Sequence, residues 1–174
     1  MRRVQAGDAE ASARLVGMFL RAAYLSALSI VTRPSDAEDV AQDAFVSALE
    51  HIHSCREPAR FAGWFLQIVR NRALNWLERR KHRDVPANDE RAPAAISGEP
   101  SPGSPRLKQQ LLTALNDLTE TQREIVLLHD LEEWTHGEIA DALGLSEVMC
   151  RQHLWNARRK LRAHLSDHAP VEKK

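Results

Sequence analysis

Between Asp84 and Arg106 the chain reads DVPANDERAPAAISGEPSPGSPR, a stretch with five of the eight prolines together with Gly98 and Gly103. Proline removes a backbone donor and blocks helix interiors, while Gly, Ser, Asp and Asn favour turns. Val85 and Ile96 are its only large aliphatic side chains, so it has nothing with which to build a core. A chain interrupted in this way is expected to form two bodies, residues 1–83 and 106–168, joined by a linker over 84–105. Fully extended at about 3.3 Å per residue, the 22 linker residues reach at most ~73 Å, about two turns of B-DNA.

Both flanks read as helix. Gly is scarce outside the linker, hairpin dipeptides are missing, and Ala, Leu, Arg and Glu dominate. Three capping boxes mark helix starts, at Ser35–Glu38, Thr119–Gln122 and Thr135–Glu138, each at the spacing where the cap and the third residue exchange hydrogen bonds. Helices are expected near 8–31, 36–52, 61–82, 106–117, 120–131, 136–143 and 147–165. The fold class is therefore all-α, two small helical domains of which the second holds a helix-turn-helix.

That motif lies in GEIADALGLSEVMCRQHLWNARRKL, residues 137–161. On a helical wheel Leu154, Ala157 and Leu161 fall within about 40° of Cys150, one narrow apolar stripe. Val148, Arg151, Gln152, Trp155, Asn156, Arg159 and Arg162 take the far side. The preceding helix offers Ile139, Ala140 and Leu143, with Ala140 small where crossing helices approach most closely. Gly144 supplies the left-handed end, Leu145 plugs the corner and Ser146 caps the next helix. In such a motif the second helix enters the major groove and its N-terminal outward residues touch base edges. A helical hairpin with a solvated basic face has the same outline, but an exposed Trp155 among arginines argues for a surface that meets something. Cys150 reads as a small buried hydrophobe.

Charge supports this reading once taken locally. Lys plus Arg and Asp plus Glu are both 24, and a neutral total usually argues against nucleic-acid binding. Yet residues 36–52 carry −5, 56–83 carry +6, 117–141 carry −7 and 151–162 carry +5. Exposed charges act mainly within ~8–10 Å at ordinary salt, so each block acts by itself.

The run LTETQREIVLLHDLEEWTHGEIADALGLSEVMCRQHLWNARRKLR resembles the promoter −35-binding domain of bacterial RNA polymerase sigma factors, above all those of the compact extracytoplasmic-function group. DAEDVAQDAFVSALEHI followed by FAGWFLQIVRNRALNWLERRKHR resembles that group's −10-binding domain, and together the likeness covers about residues 8–83 and 106–165. It implies an alternative sigma factor that binds core RNA polymerase and directs promoter-specific initiation without being an enzyme. The −35 contacts would be Ser146, Val148, Arg151, Gln152, Trp155, Asn156 and Arg159. Val148 and Met149 stand where members often have Gly-Thr, and Asn156 where many have Arg, which bears on the bases read.

In helix 36–52, Val40, Ala41, Ala44, Ala48 and Ile52 share one arc, and Asp39, Asp43 and Glu50 line the opposite face with Gln42 and Val46 beside them. A solubilising acidic face is the ordinary reading. The resemblance makes Asp39, Gln42, Asp43 and Val46 the contact with the clamp coiled coil of the polymerase's largest subunit; the second-largest subunit is a further expected partner. Helix 61–82 is apolar around most of its circumference, so Phe61, Phe65 and Ile68 are expected in the core, with Gln67, Arg70, Asn71 and Asn75 as its polar remainder. Arg79, Arg80, Lys81 and Arg83 extend it as a basic tail. The loop HSCREPAR, 53–60, matches the one that accepts a base flipped out of the −10 element. Flipping costs a few kcal/mol, which stacking, hydrogen bonding and phosphate contacts must offset. Arg56, Arg60, Asn71 and Arg72 are the candidates, with Trp64 and Asn75 beside them. An anti-sigma factor is the inhibitor the family implies.

Other chemistry is not well supported. His51, His53 and Cys55 suggest a metal site, but on a continuing helix His53 points about 160–200° from the other two, and a structural zinc site wants four ligands. No phosphate loop, nucleophile elbow or zinc-protease pattern occurs, so no cofactor, metal or catalytic residue is expected. Glu132 and Glu133 beside His129 and Asp130 read as a solvated acidic turn. No signal-peptide pattern is visible and no apolar run is expected to approach the ~18 residues of a membrane span, so a cytoplasmic protein without membrane insertion is expected. Two rival readings remain: a stand-alone helix-turn-helix regulator, which leaves the acidic helix and loop idle, and a small helical nuclease or metal enzyme.

Overall fold

The structure, a computed structural model, describes the backbone of residues 1–82 and 105–166 and the side chains of 1–81 and 110–164. Residues 84–104 of the expected linker, and Arg83, lie outside the described residues. Among the described residues there are eight α-helices, two 3-10 turns and no strand. The N-terminal half holds α1 (Arg2–Gln5), α2 (Ala9–Val31), α3 (Pro34–Glu50) and α4 (Phe61–His82). The C-terminal half holds α5 (Pro105–Asn116), α6 (Glu120–Glu132), α7 (His136–Leu143) and α8 (Glu147–Ser166).

The local signals decide most helix ends. Thr119 and Thr135 both form reciprocal capping boxes with Gln122 and Glu138. Gly144 ends α7 in the left-handed region at φ 67°, and the Leu145 N–H returns to the Ala140 carbonyl at 2.9 Å. Ser35 behaves differently. Pro34 takes the first helical position, where a missing N–H costs nothing, so α3 starts earlier and Ser35 sits inside its first turn without capping it. Asp8 caps α2 by accepting the Ala11 N–H at 3.0 Å.

Helices α2, α3 and α4 pack around Phe19, Phe45, Phe61 and Phe65, with Phe45 and Phe65 rings 4.5 Å apart and Phe61 stacked on Phe65 at 5.6 Å. Phe61 and Phe65 are buried as expected and Ile68 is half-buried. Leu74 is exposed, so the outer half of α4 is less apolar-faced than the sequence implies. Contrary to the expectation that no run is long enough, α2 has the length and mean hydropathy, 1.4, of a membrane-crossing helix. Half of that apolar window is buried, because α2 touches α3, α4 and α6 and every residue from Leu25 to Val31 is covered.

The two halves pack directly, α6 on α2 and α7 on α4. Gly63 makes the second contact possible: a Cβ there would lie 3.1 Å from the Asp141 carbonyl oxygen and 3.3 Å from the Ala142 Cα. Charged groups are buried along the same seam. The Glu124 carboxylate, 4% exposed, accepts from Ser26 Oγ at 2.5 Å and from Arg70 Nη1 at 3.3 Å. Arg70 also donates to the Ala142 carbonyl at 3.1 Å. Arg123 is buried too and donates to the carbonyls of Leu115, Leu118 and Asn116 in its own half and Ser29 across the seam. At the edge Arg21 pairs with Glu132 at 2.5 Å.

Candidate nucleic-acid and polymerase interfaces

The inner stripe of α8 is Cys150, Leu154 and Ala157, at most 3% exposed, set against Ile139 and Ala140 of α7. Burial raises the Cys150 thiol, and its sulfur lies 3.6 Å from His136 Nδ1. His136 is held below its ordinary value chiefly by burial, and His129 and Arg151 push it the same way. Both shifts favour the uncharged forms of a pair packed between α7 and α8. Ser146 caps α8 by accepting the Met149 N–H at 3.2 Å.

The stripe's burial fixes what the other side presents. Val148, Arg151, Gln152, Trp155 and Arg159 are exposed together, Trp155 at 57%, while Asn156 is half-buried. The Arg159 guanidinium sits 4.8 Å above the Trp155 ring, which holds both side chains in the outward face. Two other basic residues, exposed as well, reach back to α6. Arg158 donates to Asp130 at 2.5 Å and Lys160 to Gln122 at 3.3 Å, so both tie α8 to α6. Burial pulls Asp130 upwards, but Arg158 and His129 together hold it below its ordinary value. The supposed acidic turn is thus partly an anchor for α8.

In the N-terminal half, Trp64, Asn71 and Asn75 fall along one stripe of α4, with Arg72 beside it. Asn71, Arg72 and Asn75 are exposed, and Asn71 Oδ1 accepts from Gln67 at 3.1 Å. Trp64 is half-buried against Phe61 at 5.8 Å. It lines a cleft of about 920 Å³ together with Phe19, Arg60, Trp134, Glu138 and Leu143. Arg56 and Arg60 are exposed on the loop, and Arg60 pairs with Glu57 at 2.8 Å. The cleft lies between the halves, so α7 borders Trp64 on one side, while Arg60 at its rim stays exposed. Arg70 is turned into the seam. Arg80 of the basic tail folds back onto Asp36 at 3.2 Å and over the Trp76 ring at 5.1 Å.

Asp39, Gln42, Asp43 and Val46 are all exposed on one stripe of α3, Val46 at 58%. His51 and His53 are exposed, whereas Cys55 is buried with its thiol pushed up by burial and donating to the Glu57 carbonyl at 3.6 Å. Among the described residues no group of three His, Cys, Asp or Glu side chains is placed to hold a metal ion.

Sequence reasoning did not anticipate the seam. The signal was available in REIVLL, 123–128: side chains in every direction around α6 are apolar and buried, so the Arg and Glu that precede them are drawn into the interior as well.

The family model described as Sigma-70 region 2 matches residues 15–83, and that described as Sigma-70, region 4 matches residues 108–161. The RNA polymerase sigma factor NccH of Alcaligenes xylosoxydans xylosoxydans is 31% identical over 170 residues, covering 94% of this chain and 91% of NccH. SigM of Bacillus subtilis, named an ECF RNA polymerase sigma factor, is 26% identical, covering 84% of this chain and 90% of SigM. RfaY of Xanthomonas campestris pv. campestris, a probable RNA polymerase sigma factor, is 31% identical over 92% of this chain, which spans only 42% of RfaY. Among solved structures, CnrH in complex with the cytosolic domain of CnrY has the same fold at 24% identity, with TM-score 0.70, covering 97% of this chain and 96% of CnrH. With both regions matched in order and a relative aligned along nearly its whole length, the chain belongs to the sigma-70 family of RNA polymerase sigma factors, in its extracytoplasmic-function group.

Proposed function

We propose that the chain directs promoter-specific transcription initiation in the cytoplasm. It binds core RNA polymerase through Asp39, Gln42, Asp43 and Val46, and sets α8 in the major groove of the −35 element. It then captures the melted −10 strand with Arg56, Arg60, Trp64, Asn71, Arg72 and Asn75. The observation that carries this reading is the outward face of α8, where Arg151, Gln152, Trp155 and Arg159 stand exposed on a helix locked from behind by Cys150 and Ala157. Those are groups that donate to base edges and phosphates. The chain brings recognition and strand capture, and the polymerase brings catalysis. Proposed boundaries are 1–83 for the −10 and polymerase-binding unit, 84–105 for the linker and 106–168 for the −35-binding unit.

In the packed arrangement α7 lies on the helix that would capture the open strand. Engaging two promoter elements at once requires the halves to separate, and a linker of at most ~73 Å sets how far they can go. CnrH was solved with the cytosolic domain of CnrY, and another structure of this fold is the sigma factor RpoE with the anti-sigma factor NepR from Bartonella quintana. Those complexes support an anti-sigma factor as the inhibitor of this chain also. The test is run-off transcription with purified core polymerase and a library of random upstream DNA. Factor-dependent starts sharing two spaced sequence blocks support the reading. No dependent transcript, even on pre-melted templates, leaves a stand-alone DNA binder.

A further inference from the structure

One side chain does not suit a helix built to lie among phosphates. Glu147 opens α8 and is the sole acid among the residues Glu147–Ser166, which include Arg151, Arg158, Arg159, Lys160 and Arg162. Its side chain is 51% exposed, and its carboxylate pairs with Arg151 one turn further along. A carboxylate brought to DNA meets repulsion from the backbone unless it finds a donor. In the major groove the donors are the amino groups of cytosine and adenine, and acidic side chains are suited to cytosine N4. The outward residues at the start of a recognition helix are those that reach base edges, and Glu147 with Arg151 holds that position.

The neighbouring helix makes room for this carboxylate. A Cβ at Gly137 of α7 would lie 3.1 Å from Glu147 Oε1, so a larger residue there would crowd the carboxylate and shift it by a few tenths of an ångström. Glycine weakens a helix relative to alanine, and this close approach is a physical reason for it at a position that is not left-handed.

Resting on the −35 assignment above, we propose that Glu147 determines specificity: it accepts a hydrogen bond from the N4 amino group of a cytosine, while Arg151 donates to O6 and N7 of a guanine in an adjacent base pair. In the free protein the two side chains neutralise each other and are held over the same face. An exposed pair four residues apart is weak, so exchanging it for base contacts costs little. The competing explanation is that Glu147 merely complements the positive end of the α8 dipole. That role would contribute to helix stability and carry no sequence preference.

The experiment is run-off selection on DNA randomised through the −35 region, with core polymerase and the wild-type chain, Glu147→Ala, Glu147→Gln and Gly137→Ala. Wild type is expected to enrich a cytosine next to a guanine. Glu147→Ala should lose roughly five- to tenfold of the preference at the cytosine position alone, with the guanine and the −10 block retained. Gly137→Ala, which only crowds the carboxylate, should change that position less than Glu147→Ala does, and Glu147→Gln should shift it from cytosine towards adenine. Unchanged base frequencies in Glu147→Ala, or an equal change on all sequences, overturns the assignment. If the wild-type chain yields no dependent transcripts, the promoter reading itself fails and this proposal with it, an outcome distinct from any behaviour of the variants.

Discussion

Ser26 Oγ donates to Glu124 Oε1 at 2.5 Å, joining two helices that lie on opposite sides of the Pro-rich segment. Ser26 is fully buried on α2 and Glu124 is 4% exposed on α6, so water cannot take the place of either partner. With Arg70 as a third member, the bond marks where two halves that could have been independent are held as one body.

Removing Arg70 should open that body. Arg70→Ala leaves the Glu124 charge buried with one neutral donor, and breaking a buried pair from one side costs roughly 3 kcal/mol or more. Small-angle scattering should show a larger radius of gyration than wild type, with helix content retained. Glu124→Gln, which removes the charge and keeps hydrogen-bonding capacity, should stay closed. An unchanged radius for Arg70→Ala would refute the role given to the seam.

Closure should depend on pH in a defined direction. Burial pushes the Glu124 carboxyl up from its ordinary 4.5, against the pull of Arg70 and Ser26. A carboxyl with a higher pKa in the packed form binds more protons there than in the separated form. Packing therefore strengthens as pH falls through the raised value towards 4.5, and is weaker once pH has risen above it. Fluorescence transfer between labels on the two halves should increase on acidification from about pH 7.5, and Glu124→Gln should reduce the change, leaving the smaller part due to Glu132, whose carboxyl burial also raises. Separation on acidification would mean that another group governs closure.

The two kinds of helix start make a paired prediction. Thr135→Ala loses a capping box and should cost about 1 kcal/mol in urea unfolding. Ser35→Ala loses no cap, because α3 begins at Pro34, and should be close to neutral. Equal effects would contradict the observed start of α3.

DNA and polymerase contacts should come apart by mutation. Arg151→Ala should lower −35-dependent initiation roughly tenfold, given ~1–3 kcal/mol for a good arginine–guanine contact, with core polymerase still bound. Asp43→Arg should weaken polymerase binding and leave binding of −35 duplex by the isolated chain unaltered. Footprinting and copurification measure the two separately.

Cys55 and Cys150 should resist thiol reagents until the chain unfolds. Both are buried and both thiols are raised by burial, which suppresses the reactive thiolate. Labelling of either cysteine faster than urea-detected unfolding would show that its burial is transient.

The sequence was most legible where the rules are local. Thr135, Glu138 and Gly144 bracket α7 at His136–Leu143, and the apolar stripe of α8 separates Cys150 from Arg151. Ser35 misled because two valid start signals lie one residue apart and Pro34 comes first. The four-residue helix α1 is too short to carry a period. The seam was hidden for a different reason. Arg70, Arg123 and Glu124 are residue types that ordinarily face water, and their partners lie 54, 94 and 98 positions away. No local pattern records that distance. Which base each outward side chain of α8 would touch is a property of the complex, and a single chain states only which side chains are free to reach.

Gly63 gives the seam a consequence for how much of this protein a cell must make. It lets α7 settle on the helix proposed to grip the open strand, next to Trp64, so closure and promoter capture compete at that end of the surface. The apparent affinity for a promoter is then the intrinsic affinity scaled by the open fraction, and each 1.4 kcal/mol of closure lowers that fraction about tenfold. A tightly closed chain responds only when its concentration rises far enough, while a loosely closed one leaks at all times. On the function proposed above, one missing methyl group would help to set the threshold at which a whole set of genes is switched on.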